Sequence, residues 1–347
     1  MKPELFAPDR RSLLKKAGAL GIGALASFVL PPESSYAFLF RKKKHKVVKT
    51  RLAMGTFVSM TAVHSSRDQA EQAIELAFAE VSRLSKLLSR HDNGSPVSQL
   101  NHTGVLHDAP RELCEVITAS IQLWQQSGGA FDVTIKPLLD YYEQSFEKNQ
   151  EPVADRITEL LGAVGGQHLQ LTGKTMKLAR PDMAITLDGI AKGYIVDRAS
   201  DVLIKNGISD HLVNAGGDIR AMGAPSEKAK WKIAIQDPEK KQSYPEIVEI
   251  TNGAIATSGN YEIYYDQERL FHHIIDPKTG RSPQESVSVT VRTNSAMRAD
   301  GLATGVFVLG PQDGVKMVES QPATWCYVLD ASGKPDHSSG WDNGSAR

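Results

Sequence analysis

The sequence predicts an α+β (mixed α/β) fold. Apolar residues recur at helical spacing in a few long stretches, and short apolar runs of strand length accumulate in the C-terminal half. A series of strands interrupted by two or three long helices is typical of such folds. The chain has 347 residues, of which 41% are hydrophobic and 23% charged, so it is long enough to bury a sizeable core.

The N-terminal segment has the pattern of a secretory signal. The paired arginines Arg10-Arg11 precede an apolar run from Ala17 to Leu30, and small residues lead to Ala37. Arginine pairs of this kind are typical of twin-arginine export signals. We expect residues 1–37 to be cleaved near Ala37 and the protein to be periplasmic, without stable membrane insertion; an uncleaved anchor is the alternative.

The charge balance gives no electrostatic footprint for nucleic acid, and no nucleic-acid partner is predicted. The chain has 40 basic and 40 acidic residues, and removing the five basic and three acidic residues of 1–37 leaves 35 against 37. Residues 38–49 are predicted to be a basic spacer, 50–330 a single catalytic domain and 331–347 a flexible tail. Cys114 and Cys326 fit no zinc motif, and buried free thiols are expected.

In chain order, the first half predicts one strand and two long helices. A strand is expected over Leu52 to Val63, a helix with a stripe from Ala70 to Leu88, and a second helix over Pro110 to Gln126. The second helix ends at Gly128-Gly129, as helix C-termini often do. Residues 140–156 are expected to be an exposed, charged excursion.

The second half predicts hairpins and strands around further helices. His168 to Ala179 is expected to form a hairpin, whose Gly-Lys-Thr lacks the upstream glycines of a phosphate loop. A helix follows Asp188, and a strand from His211 to Met222 is broken at Gly216-Gly217. Further strands are expected at Trp231–Gln236, Ile247–Thr251, Phe271–Ile275, Ser286–Arg292 and Thr324–Leu329, with helices at about 300–309 and 313–319.

The most informative stretch is 253–304, where polar turns alternate with apolar runs. Asp300 and Thr304 are four residues apart, so in a helix their oxygens share one face. A carboxylate and a hydroxyl suit Mg²⁺, which takes oxygen ligands and leaves room for substrate phosphates. Alternatively, Asp300 caps the helix and Thr304 bonds back to a carbonyl.

Eight ordered motifs make the chain similar to the FAD:protein FMN transferase family, also called ApbE-type flavin transferases. The resemblance covers roughly residues 50–330. The motifs are MGTFVSM (54–60), SRHDNGSPVSQLN (89–101), GGAFDVT (128–134), ITLDGIAKGYIVD (185–197), VNAGGDIRAMG (213–223), IATSGNY (255–261), HHIIDPKTG (272–280) and ADGLATG (299–305).

The resemblance implies a T-fold-like architecture of mostly antiparallel sheets and flanking helices, with flavin bound in a cleft. It also implies transfer of FMN from FAD to a Thr or Ser hydroxyl of a periplasmic redox acceptor protein, with release of AMP and use of Mg²⁺. The implied FAD contacts are Met54, His91, Ala130, Phe131, Asp132, Thr186, Lys192 and Ile275. The implied metal ligands are Asp300, Thr304 and the Gly189 carbonyl, and the implied catalytic residues are His273, as proton acceptor, and Asp276.

Ordinary structural roles remain open for three of these residues. His273 could bond to a neighbouring strand, Asp276 could form a turn before Pro277, and Lys192 could pair with Asp188 one helical turn earlier.

The chain departs from its relatives at two positions. His91 stands where many relatives have an aromatic residue, and Ala303 where some have a second acidic ligand. We therefore predict weak Mg²⁺ binding without FAD.

Two rival functions are compatible with the same motifs. The first is an FAD pyrophosphatase, in which water replaces the acceptor hydroxyl. The second is a non-catalytic periplasmic FAD-binding protein, which would need the flavin contacts but neither Asp300 and Thr304 nor His273.

Overall fold

A computed structural model describes residues 44–238, 244–266 and 270–344. The predicted signal segment 1–37 and the first half of the spacer, residues 38–43, lie outside these ranges. Thirteen strands lie within them: β1 His45–Ala53, β2 Thr56–His64, β3 Val105–Leu106, β4 Leu169–Thr172, β5 Thr175–Leu178, β6 Asp210–Ala215, β7 Asp218–Met222, β8 Trp231–Ala234, β9 Ile247–Ile250, β10 Gly253–Gly259, β11 Ser286–Thr293, β12 Trp325–Asp330 and β13 Pro335–His337.

Seven α-helices accompany the strands within the same ranges: α1 Arg67–Leu87, α2 Pro96–Thr103, α3 Arg111–Gln126, α4 Lys136–Glu147, α5 Ala154–Leu161, α6 Ala191–Lys205 and α7 Ala296–Glu319. Helix α7 is two helical segments joined at a kink, because Gly310 has φ 79 and ψ 175 and Pro311 follows it. The two separate helices predicted in this region are therefore confirmed, with the first starting at Ala296.

One eight-stranded sheet organises the fold. Its strand order is β1-β2-β6-β7-β10-β11-β12-β13, and every neighbouring pair is antiparallel. Helices α1, α6 and α7 pack on one face and enclose the main apolar core with it. Small sheets β3-β5-β4 and β8-β9 complete the structure. The predicted α+β class is confirmed.

The first strand and the C-terminal tail correct the predicted boundaries. Strand β1 begins at His45, which pairs with His64, so the end of the predicted spacer belongs to the sheet. The predicted single strand 52–63 is the turn and second strand of this hairpin. At the other end, β13 pairs with β12 and the Trp341 side chain is only 1% exposed, so part of the predicted tail belongs to the folded domain.

Two further predictions were wrong. Residues 140–147 belong to α4, where Tyr142 is fully buried and its hydroxyl donates to the Gly280 carbonyl at 2.7 Å. The segment 271–275 forms only an isolated antiparallel bridge, between His272 and Tyr264, and not a strand; the His272 N–H donates to the Ser282 hydroxyl at 3.0 Å. Both errors come from long-range contacts that local patterns do not encode.

The hairpin around Gly173 is confirmed, and the predicted break at Gly216-Gly217 is the turn of a second hairpin, formed by β6 and β7. Cys114 and Cys326 are free thiols, and Cys326 is buried. Within the described ranges, every helix is too short or too polar to cross a bilayer.

Candidate active site

Asp300 and Thr304 lie on the first segment of α7, on the face turned towards α6. The Asp300 carboxylate is 5% exposed, and its Oδ2 accepts the Gly193 N–H at 3.0 Å in the first turn of α6. The α7 cap is Ser295, whose hydroxyl accepts the Arg298 N–H at 3.3 Å. The predicted shared helical face is confirmed, and the capping role for Asp300 was wrong.

Two glycines allow the backbone to approach this face. A Cβ on Gly193 would lie 2.3 Å from the Ala296 carbonyl oxygen, so α6 and α7 cross in backbone contact. A Cβ on Gly189 would lie 3.1 Å from Thr304 Oγ1 and 3.5 Å from the Phe131 ring. The Gly189 backbone therefore runs directly beside the Thr304 hydroxyl.

Lys192 points into the same cluster. Its Nζ lies 3.6 Å from Oδ2 of Asp218, the first residue of β7. Asp188, the alternative partner of Lys192, accepts from Arg90 Nε at 2.8 Å. Sequence reasoning missed Asp218; the available signal was a carboxylate at the start of a strand, directly after Gly216-Gly217.

The two carboxylates are buried against each other. Burial raises the pKa of Asp218 well above its usual value, and the neighbouring charge of Asp300 raises it further. Burial also raises the pKa of Asp300, while the Lys192 ammonium and the Gly193 N–H oppose that shift. The cluster is therefore short of positive charge. Ser258 adds a hydroxyl, whose Oγ lies 3.3 Å from Thr304 Oγ1.

The two adjacent histidines have different environments. The His272 ring is fully buried, with Nε2 2.8 Å from the Pro283 carbonyl and Nδ1 accepting the Ile274 N–H at 3.3 Å, which is a structural role. The His273 ring is partly exposed, and Nδ1 lies 3.4 Å from the Ile263 carbonyl oxygen. A proton on Nδ1 satisfies that carbonyl and leaves the Nε2 lone pair available.

Electrostatics keep His273 neutral. Desolvation, followed by the charge of neighbouring His272, lowers the pKa of His273 to about 4. Lys192 and Asp188 also lie close enough to influence this pKa. His273 is therefore a neutral imidazole near the acidic cluster, as a proton acceptor requires at neutral pH.

Two predicted site carboxylates accept hydrogen bonds from backbone and hydroxyl groups of the protein. Asp276 accepts the Lys278 N–H at 2.9 Å and the Thr279 hydroxyl at 2.8 Å, which favours the turn-forming role over a catalytic one. Buried Asp132 accepts from the Thr134 N–H, the Thr134 hydroxyl and the Gly166 N–H. Its predicted contact with flavin stays a prediction.

Three other predicted residues adjoin the cluster through the backbone. Phe131 lies beneath Gly189, and neighbouring Ala130 is buried with it. The Thr186 N–H donates to the Val133 carbonyl at 2.8 Å, which ties the 130–134 segment to the strip leading to Gly189. A fourth predicted residue, Ile275, is 1% exposed and lies in a separate apolar cluster with Tyr142 and Leu138.

Met54 and His91 lie in loops whose neighbouring residues, Thr56 and Arg90, contact segments of the site. Met54 has φ 53 in the β1–β2 turn, and nearby Thr56 packs on Gly216 beside Asp218. His91 is exposed, but Arg90 is 9% exposed and bonds to Asp188 and to Glu143, the latter at 3.0 Å. Arg90, also missed by sequence reasoning, fixes this loop to the strip that carries Gly189.

The donor set fits Mg²⁺. It consists of carboxylate, hydroxyl and carbonyl oxygens, and one buried carboxylate oxygen, Asp218 Oδ2, has no hydrogen-bond partner among the described residues. Within the described ranges, no three His, Cys, Asp or Glu residues are gathered as an all-protein metal site. Mg²⁺ often uses only one or two carboxylates and completes its shell with water and phosphate oxygens.

Comparisons with known proteins agree with this geometry. The sequence model of the ApbE family matches residues 54–328, most of the chain. The chain belongs to the ApbE family. It is 31% identical over 294 residues to a FAD:protein FMN transferase of Klebsiella pneumoniae (strain 342), covering 81% of this chain and 83% of the relative. It is 29% identical over 281 residues to the Escherichia coli (strain K12) FAD:protein FMN transferase, covering 77% and 80%.

Solved structures from the ApbE family share the fold. The flavin transferase ApbE from Vibrio cholerae superposes with a TM-score of 0.74 at 28% identity, covering 87% of this chain and 100% of that one. The ApbE protein from Thermotoga maritima MSB8 gives 0.79 at 27% identity, covering 88% and 100%. The predicted ApbE-type architecture is therefore confirmed.

Proposed function

We propose that this protein is a Mg²⁺-dependent FAD:protein FMN transferase, which moves FMN from FAD to a Thr or Ser hydroxyl of an acceptor protein and releases AMP. The observation that carries the proposal is the cluster of Asp300, Thr304, Gly189 and Lys192 beside the neutral ring of His273. Family membership supports it, because the relatives compared above are FAD:protein FMN transferases.

The reaction follows from these residues. The acceptor hydroxyl oxygen forms a bond to the FMN phosphorus, the bond from that phosphorus to the AMP oxygen breaks, and the hydroxyl proton passes to His273 Nε2. Proton acceptance of this kind contributes typically ~10²–10⁴-fold. Lys192 supplies positive charge for the diphosphate. Asp300, Thr304 and the Gly189 carbonyl would hold Mg²⁺, which neutralises charge on phosphoryl oxygens.

We also propose that the protein acts in the periplasm on a redox acceptor protein. The support is the signal-like pattern of residues 1–37, with Arg10-Arg11 before the apolar run and Ala37 at its exit. Cell fractionation of the full chain and of a variant with both arginines changed to lysine tests this. Retention of the variant in the cytoplasm supports twin-arginine export, and unchanged export contradicts it.

One assay separates the possible activities. Mature protein is incubated with FAD, Mg²⁺ and an acceptor, the acceptor is weighed by mass spectrometry and AMP is quantified. An FMN adduct with equimolar AMP supports transfer. AMP and free FMN without acceptor indicate a pyrophosphatase, and neither product indicates an FAD-binding protein.

Asp300→Asn tests the metal role directly. The variant is expected to bind FAD but to lose the dependence of the transfer rate on Mg²⁺ concentration. If the Mg²⁺ titration of the variant overlays the wild-type curve, Asp300 is not a metal ligand.

A further inference from the structure

Asp218 is a buried carboxylate with an unsatisfied oxygen. Its side chain is 1% exposed, and Oδ2 has no hydrogen-bond partner among the described residues. Burying a carboxylate without full pairing is costly, by several kcal/mol in typical cases. Such a residue calls for a role that the apo-protein does not display.

The backbone gives Asp218 no freedom to turn away. Ala215 pairs with Asp218 across a two-residue turn, in which Gly216 has φ 59 and Gly217 has φ 104. The Gly217 N–H donates to Asn214 Oδ1 at 3.0 Å, and Gly216 packs on Thr56. The hairpin therefore directs the side chain at the start of β7 towards α6 and α7.

Lys192 alone does not explain the position of this carboxylate. The distance of 3.6 Å from Lys192 Nζ to Asp218 Oδ2 exceeds that of a normal hydrogen bond. Asp218 also lies beside Asp300, whose Oδ2 is already held by the Gly193 N–H. Two carboxyl groups buried side by side next to one ammonium form a set of oxygen donors that a divalent cation between them would satisfy.

We propose that Asp218 is a second carboxylate ligand of the divalent cation held by Asp300 and Thr304. It takes the place of the acidic residue that Ala303 does not provide, so the second carboxylate comes from β7 and not from α7. The inference rests on the proposed function for the presence of that cation. With two carboxylates in place of one, the apo-protein is expected to bind metal measurably, in contrast to the weak binding predicted from α7 alone.

Metal binding without turnover tests the assignment. The full chain, stripped of FAD and metal, is titrated with Mn²⁺, and free Mn²⁺ is followed by electron paramagnetic resonance. Asp218→Asn is expected to weaken Mn²⁺ binding at least ~10-fold, because mutation of residues that only hydrogen-bond to metal ligands already lowers metal affinity by that factor. Asp300→Asn is expected to do the same. The control Asp210→Asn removes a carboxylate that pairs with Lys44 at the end of β6 away from the Gly216-Gly217 turn, and is expected to change Mn²⁺ affinity less than about twofold.

FAD affinity in the absence of metal separates a ligand from a partner of Lys192. If Asp218 holds the cation, Asp218→Asn keeps metal-free FAD affinity while losing Mn²⁺. Wild-type Mn²⁺ affinity with weakened FAD binding would overturn the inference and assign Asp218 to orienting Lys192. Melting curves establish that the variant is folded, and Asp218→Ser, which is smaller, replaces it if the Asn variant does not fold.

The same measurements distinguish this inference from the proposed function. If Asp300→Asn loses Mn²⁺ binding and Asp218→Asn does not, the proposed role of Asp218 is overturned and the transferase proposal stands. Loss in both variants, from a wild-type protein that forms no FMN adduct, supports the metal site and contradicts transfer. Absence of Mn²⁺ binding by the wild-type protein overturns the role of Asp218.

Discussion

Removing the Asp132 carboxylate is expected to reduce the free energy of unfolding by more than it reduces the free energy of FAD binding. Oδ1 accepts the Thr134 N–H at 2.8 Å and the Thr134 hydroxyl at 2.6 Å, and Oδ2 accepts the Gly166 N–H at 2.8 Å. Each buried donor left unsatisfied costs about 1–3 kcal/mol. Asp132→Ala is therefore expected to lose about 3–6 kcal/mol of unfolding free energy, because water entering the space replaces some of the bonds.

The matched variant Asp132→Asn separates the three bonds. Its amide oxygen can still accept both Thr134 donors, while its NH₂ group faces the Gly166 N–H, so about 1–3 kcal/mol is lost. Taking an unfolding entropy of about 0.6 kcal/mol/K for a domain of ~300 residues, the midpoint falls by about 5–10 °C for Ala and about 2–5 °C for Asn.

Thermal unfolding by circular dichroism, together with FAD titration well below the transition, checks the reasoning. An Ala variant that melts within about 1 °C of the wild-type protein would refute it, given the shifts expected for lost buried bonds. A large loss of FAD affinity in the still-folded Asn variant would show that this carboxylate binds flavin directly.

Three other outcomes are expected. Gly193→Ala places a Cβ 2.3 Å from the Ala296 carbonyl oxygen, so α6 and α7 must separate. Chemical denaturation should show that the free energy of unfolding falls by about 3 kcal/mol or more. Stability close to that of the wild-type protein would contradict the described helix crossing. Burial lowers the pKa of His211 to about 4, so the unfolded chain binds an extra proton between pH 6.5 and 4. Stability should fall as the pH falls through that window, by about 3 kcal/mol, and His211→Gln should flatten the dependence measured by urea unfolding. His273→Ala should keep FAD affinity within about twofold and slow adduct formation ~10²–10⁴-fold, measured by mass spectrometry of the acceptor; an unchanged rate would exclude it as proton acceptor.

Local patterns were sufficient for the part of the site that lies on one helix. The spacing of Asp300 and Thr304 defines a shared face as soon as the segment is helical, and the structure has them on that face of α7. Glycines at 189 and 193 could be recognised as residues of interest only through the resemblance, because the reason for each is a contact with a distant segment.

Asp218 and Arg90 are site residues that local sequence patterns did not identify. A carboxylate after Gly216-Gly217 is also what an ordinary turn would contain, and its burial becomes visible only when β7 is packed beside α7. Arg90 stands in a polar loop, yet its partners Glu143 and Asp188 come from α4 and from the strip before α6. Charge pairs between segments leave no periodic signal in the sequence.

Asp132 and Asp276 were assigned to the site by the resemblance, and the structure gives both of them a structural role as well. The resemblance assigned Asp132 to FAD contact and Asp276 to catalysis, and neither assignment follows from spacing. In the structure both carboxylates satisfy backbone and hydroxyl donors of the protein. A residue in a family motif can thus also support a turn, a role that the resemblance alone does not reveal.

The left-handed backbone at Met54 has a consequence for engineering. Two-residue hairpin turns with positive φ at both positions favour Asn-Gly, and a methionine with φ 53 before Gly55 costs about 1 kcal/mol. A library screened for heat resistance should enrich Met54→Asn, whereas a library screened for flavin loading should reject it if the thioether meets the ring. The two selections would then pull in opposite directions at this one position.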